Sequence, residues 1–339
     1  MSATPEPELT IFVLTRNRPR MLRNTIEQYS SWPFPVRIVV HDSSDETAAR
    51  ENEAVALAHA PATAYVGYAP ATRPDAKLRA AASSAGTPYA LYAAEDDVLI
   101  PAGVADAIAF LNANRDFVAC HGQYYSVRLV GPGEANLAVA QTNLSQDRET
   151  PFARLTSLMS RYRSIFYSVQ RREALRFASD IPERVARGTF LELFAACKLL
   201  VAGKVAALPS AYLVRDFVTD RGDIEPFYRQ HPTGLLLRGV PFLTEFYPGF
   251  RDEVATLLEA AQGSGAWREK VDVLYAMHFS RSFLADRVIA HYQSEGCLSQ
   301  DDVRFLARTM AVPDTGAIPS QELVEVLRPY FGSGWPSYG

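Results

Sequence analysis

Three consecutive carboxylates, Glu95-Asp96-Asp97, follow the apolar run Tyr89-Ala90-Leu91-Tyr92. Neighbouring carboxylates repel, and at an effective dielectric near 20 a pair about 4 Å apart costs on the order of 4 kcal/mol before relaxation. A divalent cation removes that cost. Mg²⁺ and Mn²⁺ prefer hard oxygen ligands, commonly one or two carboxylates together with substrate phosphates. The other reading of the run is a helix N-cap, with Asp96 or Asp97 ahead of the helix opened by Pro101.

Two further polar segments directly follow apolar runs. Thr15-Arg16-Asn17-Arg18-Pro19-Arg20 is cationic, and Arg16, Arg18, Arg20 and Arg23 favour a diphosphate by charge. His41-Asp42-Ser43-Ser44-Asp45-Glu46 is acidic. Within it Ser43 and Glu46 have the S-x-x-E spacing of a capping box. Asp42 stands outside that box; it suits hydrogen bonds from a base or ribose, or an Asx turn to its own backbone. No glycine follows the first apolar run, which excludes the dinucleotide-binding turn and the P-loop, since both need glycine to bring backbone N–H groups onto phosphate.

Segments that carry chemistry in this way must be positioned by what precedes them. Leu9 to Leu14, Val36 to Val40, Ala64 to Val66 and Tyr89 to Tyr92 read as buried strands, and Pro19 to Tyr29, Glu46 to His59, Pro74 to Ser84 and Pro101 to Asn112 as helices. That alternation predicts an α/β fold with a mainly parallel sheet and helices on both faces. Open sheets of this kind bind ligands beyond the carboxyl ends of their strands, where the three polar segments lie. After Phe117 to His121 the rhythm changes. Gln123 to Val130 reads as extended, Gly131-Pro132-Gly133 as a turn, and the chain to Thr150 as polar loop. A helix from Pro151 to Met159, a strand from Ile165 to Val169, a helix from Thr189 to Val201, and two short strands around Pro209 follow. Beyond Glu225 the pattern is mostly helical, for example Asp252 to Ala261 and Arg268 to Tyr292.

The chain has 339 residues, 48% hydrophobic and 21% charged, enough to bury a core without staples. Its three cysteines are widely spaced, which argues against a zinc site or disulfide framework. A net charge of −4 gives no reason to expect a nucleic-acid partner, so an anion site must be local. No basic-apolar leader and no run of eighteen apolar residues is present. The expectation is a cytoplasmic protein, peripheral to the inner face of the membrane at most.

Together "TIFVLTRNRPRMLRNTI", "VVHDSSDET" and "LYAAEDDVLIP" resemble the start of a GT-A fold glycosyltransferase of the inverting family 2, in order and in spacing. "HGQYY", "FYSVQRR" and "GTFLELFAACKLLVAGK" are similar to a bacterial subgroup of that family. The resemblance covers about residues 8 to 217. It implies a flexible tail at 1–8, a nucleotide-sugar domain at 9–217 and a helical region at 218–339. It also implies that Thr15, Arg16 and Asn17 line the nucleotide pocket, that Asp42 contacts the base, and that Lys77 lies near the nucleotide. Asp97 would be the main metal ligand, Asp96 would face ribose or the metal shell, and Glu95 would occupy the variable middle of the motif. Ala94 departs from the commoner pattern by replacing its first acid.

The implied reaction is sugar transfer from a nucleoside-diphosphate sugar, the UDP type favoured, to an acceptor hydroxyl on a glycan, lipid-linked glycan or protein, with Mn²⁺ or Mg²⁺ as cofactor. A general base must take the acceptor proton, and metal and cations must hold the departing diphosphate. Glu192 is the matching carboxylate, with Asp180 and Asp216 as alternatives. Arg215 lies where relatives contact phosphate, and Phe217 to Tyr228 reads as a lid, with His231 beside it. His121, ahead of Gly122, is either close packing beside the sugar or a structural histidine, and Tyr124 and Tyr125 either stack on sugar or fill the core. The helical C-terminus could bind acceptor, form a homo-oligomer or lie on a membrane. Two competing readings are a GT-A-like module that binds without turnover and, with its glycine-rich turn missing, a sugar nucleotidyltransferase.

Overall fold

Leu9-Thr10-Ile11-Phe12-Val13-Leu14-Thr15 forms the first strand, β1 (Leu9–Thr15), and its alternation sorts the two faces of the molecule. Phe12 points into one apolar cluster, Ile11 and Val13 into another, as the two-residue period of a strand requires. The computed structural model describes residues 6–131, 134–141, 143–160, 162–186, 189–215 and 242–279.

Helix α1 (Pro19–Ser30) starts on a proline and buries Leu22, Thr25, Ile26 and Tyr29, one stripe of its surface. There follow β2 (Val36–Asp42), α2 (Glu46–Ala58), β3 (Thr63–Gly67), α3 (Pro74–Ser84), β4 (Tyr89–Ala94), the two-residue β5 (Val98–Leu99) and α4 (Pro101–Ala113). The second half contains β6 (Phe117–Gly131), β7 (Glu134–Gln141), α5 (Pro151–Ser160), β8 (Val169–Arg171), α6 (Arg172–Ser179), α7 (Thr189–Ala202), β9 (Lys204–Arg215), α8 (Phe242–Gln262) and α9 (Trp267–Phe279).

The strands form one sheet in the order β3-β2-β1-β4-β8-β6-β9-β5, with β7 paired to β6. β1, β2, β3 and β4 are mutually parallel, as are β6 and β9, while β8, β5 and β7 pair antiparallel. The α/β class and the helix-covered, mainly parallel sheet are thus as expected. From β1 the chain steps outward through β2 and β3 and then returns to place β4 on the other side of β1. That reversal is a topological switch point, and open sheets of this kind bind ligands at such a point, here beyond the carboxyl ends of β1 and β4.

Four elements differ from the sequence reading. Ile165 to Ser168 is a turn, not a strand: the Ser168 N–H and hydroxyl both donate to the Ile165 carbonyl, and pairing starts only at Val169. The short helix α6 follows at once. Glu134 to Gln141, expected as polar loop, returns along β6 as β7. The strands around Pro209 are one strand, β9, whose register against β6 shifts between His121 and Gln123. Helix α8 begins at Phe242, ahead of the expected Asp252, and contains Pro248. The expected helix to Tyr292 is described as far as Phe279. No helix among the described residues is long and apolar enough to cross a membrane.

Candidate active site at the sheet switch point

Three turns meet at the carboxyl ends of β1, β2 and β4, and Asn17 welds the first two. Asn17 adopts φ 57°, a left-handed conformation that asparagine tolerates better than most residues. Its N–H donates to Ser44 Oγ at 2.7 Å, its Nδ2 to Asp45 Oδ2 at 2.9 Å, and its Oδ1 accepts from the Asp45 N–H at 2.8 Å. Thr15, opposite Asp42 in the β1–β2 register, donates its hydroxyl to Glu95 Oε1 at 3.4 Å.

Lys77 reaches the same place from α3. It is buried, and its Nζ donates to the Thr15 carbonyl at 3.1 Å and to Ser43 Oγ at 2.9 Å. Burial lowers its pKa and nearby Arg16 lowers it further, while the charges of Glu95 and Asp42 oppose them. Ser43 is therefore a partner of Lys77 rather than the cap of α2: Asp45 is the N-cap residue, and no side chain caps that end. Glu46, the other half of the expected capping box, pairs with Arg50 instead.

Asp42 is only 1% exposed. Oδ1 accepts from the Ser44 N–H at 2.7 Å and from the Ser44 hydroxyl, and Oδ2 accepts from Asn52 Nδ2 at 2.8 Å and the Tyr65 hydroxyl at 2.9 Å. A carboxylate has about four acceptor positions, and protein donors take all of them here. No open acceptor position is left on the carboxylate, where the resemblance implies a base contact.

In the acidic turn two of the three side chains share a partner. Glu95 and Asp96 converge on Arg18, whose Nη1 lies 3.5 Å from Glu95 Oε1 and 2.9 Å from Asp96 Oδ2. Burial, with the charge of Asp96 added, pushes the Glu95 carboxyl up to about 7, against the pull of Arg18 and Lys77. Asp97 is buried, and together with burial its charge raises the Tyr29 phenol well above its ordinary range. The N-cap alternative for this run falls, because Ile100 occupies the N-cap position of α4.

Glu95 and Asp96 are hard-oxygen donors converging on one cationic point, which suits a divalent ion that completes its shell with phosphate and water. Asp97, expected as the main ligand, is buried beside them in sequence, and its charge is felt at Tyr29. No group of three or more His, Cys, Asp or Glu side chains arranged for a metal occurs among the described residues. Glu95 and Asp96, which share Arg18, are the carboxylates seen to converge.

Glu192 lies in the first turn of α7. Its Oε1 accepts from Ser164 Oγ at 2.6 Å and from the Tyr162 hydroxyl at 3.0 Å, and the Tyr162 ring packs edge-on against His278 of α9, 4.9 Å between centroids. These partners belong to the 162–164 segment and not to the three turns. Asp180 ends α6, is largely exposed and pairs with Arg79 at 3.3 Å. Arg215 is the last residue of β9, opposite Ser126. Asp216, the expected lid at Phe217 to Tyr228, and His231 lie outside the described residues. His121 is buried among Tyr124 and Tyr212, and burial pulls its imidazole down to about 4, which makes it a neutral packing group. Gly122 packs against the Ser210 carbonyl of β9.

The sequence did not single out Arg18 within its basic segment, nor Asn52 and Tyr65 as partners of Asp42. The excess of basic residues marked Arg18 only as one of several. Nothing local marks Asn52 or Tyr65, which come from the interior of α2 and from β3.

No family model matches the chain, and no curated protein does. Solved structures do. The structure of TarS 1–349 of S. aureus superposes with a TM-score of 0.56 at 14% identity, covering 89% of this chain and 81% of that one. The same protein with UDP-GlcNAc gives 0.52 at 13% identity, covering 90% and 80%, and with UDP gives 0.53 at 14%, covering 90% and 81%. At these identities the likeness establishes the fold, and it is the GT-A fold.

Proposed function

We propose that the chain is an inverting glycosyltransferase that takes a nucleoside-diphosphate sugar as donor and an acceptor hydroxyl as nucleophile. The observation that carries this reading is the meeting of Lys77, Arg18 and the Glu95-Asp96 pair at the switch point of a GT-A sheet. Structures of S. aureus TarS with the same fold were solved with UDP and UDP-GlcNAc, which supports a nucleotide-sugar donor at this switch point.

In this reading Glu192 takes the acceptor proton as the acceptor oxygen attacks the anomeric carbon and the bond to the diphosphate breaks. A single displacement of this kind inverts the anomeric centre. Ser164 and Tyr162 both hold Oε1, so one carboxylate oxygen is fixed while the other serves as base. Lys77, Arg16, Arg18 and Arg215 supply positive charge for the departing diphosphate. A divalent ion, Mg²⁺ or Mn²⁺, held by Asp96 and Glu95 would add Lewis-acid stabilisation of that leaving group. Thr15 and Asn17 shape the pocket wall. The acceptor is a hydroxyl of a glycan, a lipid-linked glycan or a protein.

One observation favours a second reading, a module that binds nucleotide without turnover: Ala94 stands where the commoner motif has its first acid. The same experiment separates the two. In thermal-shift titrations UDP or GDP with Mn²⁺ should raise the melting temperature, as mass action on the folded state demands. The wild type should then hydrolyse or transfer the donor sugar, and Glu192→Gln should lose at least about 100-fold in kcat with little change in nucleotide affinity. No stabilisation by any diphosphate would remove both readings; stabilisation without turnover would leave the binding module.

A further inference from the structure

We propose that Arg18 is a resident counter-cation of the acidic turn that competes with a divalent ion for Glu95 and Asp96. The metal in this proposal comes from the glycosyltransferase reading; the competition comes from the geometry. One guanidinium nitrogen, Nη1, lies 2.9 Å from Asp96 Oδ2 and 3.5 Å from Glu95 Oε1. The same two carboxylates are the pair that converges in the turn, so a cation placed between them must share those carboxylates with Arg18 or replace it.

The pair is held in a partly dry place. The side chain of Glu95 is 7% exposed, that of Asp96 25% and that of Arg18 23%. Charges there are screened less than on an open surface. Two like-charged cations at one pair of carboxylates repel, and arginine cannot relieve that repulsion by losing its proton, because its guanidinium stays charged at any working pH. Lys77, a buried cation nearby, is tied to the Thr15 carbonyl and Ser43 and so stays put. Arg18 sits at the entry to α1, where its backbone occupies the N-cap position and its side chain makes no capping bond. Leaving the acids therefore does not undo the helix.

Two consequences follow. Divalent-ion binding to the protein alone is weak, because it must displace an ion pair. A nucleoside diphosphate relieves the competition, since its phosphates offer the displaced guanidinium a new anionic partner and give the ion further oxygen ligands. Metal and diphosphate then bind with positive coupling, and Arg18 carries part of it.

The test uses the full chain and measures Mn²⁺ binding by the loss of the free-ion electron paramagnetic resonance signal, with no nucleotide present. Arg18→Ala should bind Mn²⁺ roughly tenfold tighter than wild type or better, and Arg18→Lys, which keeps the charge as a compact, strongly hydrated ammonium, should fall between them. With Mn²⁺ saturating, UDP should bind Arg18→Ala more weakly than wild type, so that the two affinities move in opposite directions. Circular dichroism checks that each variant folds, and Arg18→Lys carries the test if Arg18→Ala does not. Unchanged or weaker Mn²⁺ binding in the variants overturns the proposal, as does the absence of Mn²⁺ binding in all three proteins. Tighter Mn²⁺ binding in the variants with no UDP binding even to wild type supports the competition and removes the nucleotide reading instead.

Discussion

Asp42 is the residue at which burial and hydrogen bonding weigh most against a direct role with ligand. Its four donors come from the next turn, from α2 and from β3, so truncating it leaves several buried donors without an acceptor. Each such group costs about 1–3 kcal/mol, and Asp42→Ala should lose more than about 3 kcal/mol in urea denaturation. Asp42→Asn should lose much less, because the Asn52 carbonyl oxygen has no partner among the described residues and a turned-over Asn52 amide can accept from the new side chain. If Asp42 is a hub and not a reader of bases, Asp42→Asn weakens UDP and GDP alike; a loss confined to one nucleotide would restore the base contact. The three turns were legible in the sequence because each is a short run of polar residues next to an apolar strand. Their wiring was not, since a capping-box spacing at Ser43 and Glu46 cannot reveal a lysine 34 residues away.

At the scale of elements, the first half of the sheet was legible and the second was not. Regular βα alternation, with prolines opening α1, α3 and α4, fixes the ends of elements almost to the residue. Past Phe117 the strands are long, irregular and mixed in direction, and their pairing depends on contacts between distant segments. Gly122 is the clearest of these. A Cβ there would lie 2.2 Å from the Ser210 carbonyl oxygen and 2.8 Å from the Tyr212 Cβ, and both neighbours belong to β9, paired strand to strand with β6 and unable to yield alone. Gly122→Ala should therefore destabilise by about 2 kcal/mol or more, in the range of core overpacking. Gly86→Ala is the matched control: its nearest neighbour is the end of the Arg37 side chain at 3.9 Å, so its denaturation midpoint should stay level or rise slightly. Equal losses in the two variants would show that the close β6–β9 approach is not what Gly122 serves.

At the scale of the molecule, the expected division near residue 217 meets a packing fact. Phe250, Val254 and Leu258 of α8 and Trp267, Val271 and Leu274 of α9 are buried in the same cluster as Phe12 of β1 and Tyr92 of β4. At roughly 1.5–3 kcal/mol for each buried apolar side chain, these contribute on the order of 10 kcal/mol against the entropy of ordering the two helices. Helices that share a core with the sheet are expected to unfold with it. The sequence showed amphipathic helices here but not their partner, because the apolar face of a helix does not name the surface it meets. Tryptophan reports the outcome directly: Trp267 lies in the cluster shared with α8 and α9, and Trp32 in the cluster on the opposite face of the sheet. Two proteins, each keeping one of these tryptophans with the other and Trp335 changed to phenylalanine, should show coincident urea transitions by fluorescence, as a single cooperative unit does. An earlier transition at Trp267 would mean that α8 and α9 come away first, and the shared core would then be a docking interface between two separately stable parts.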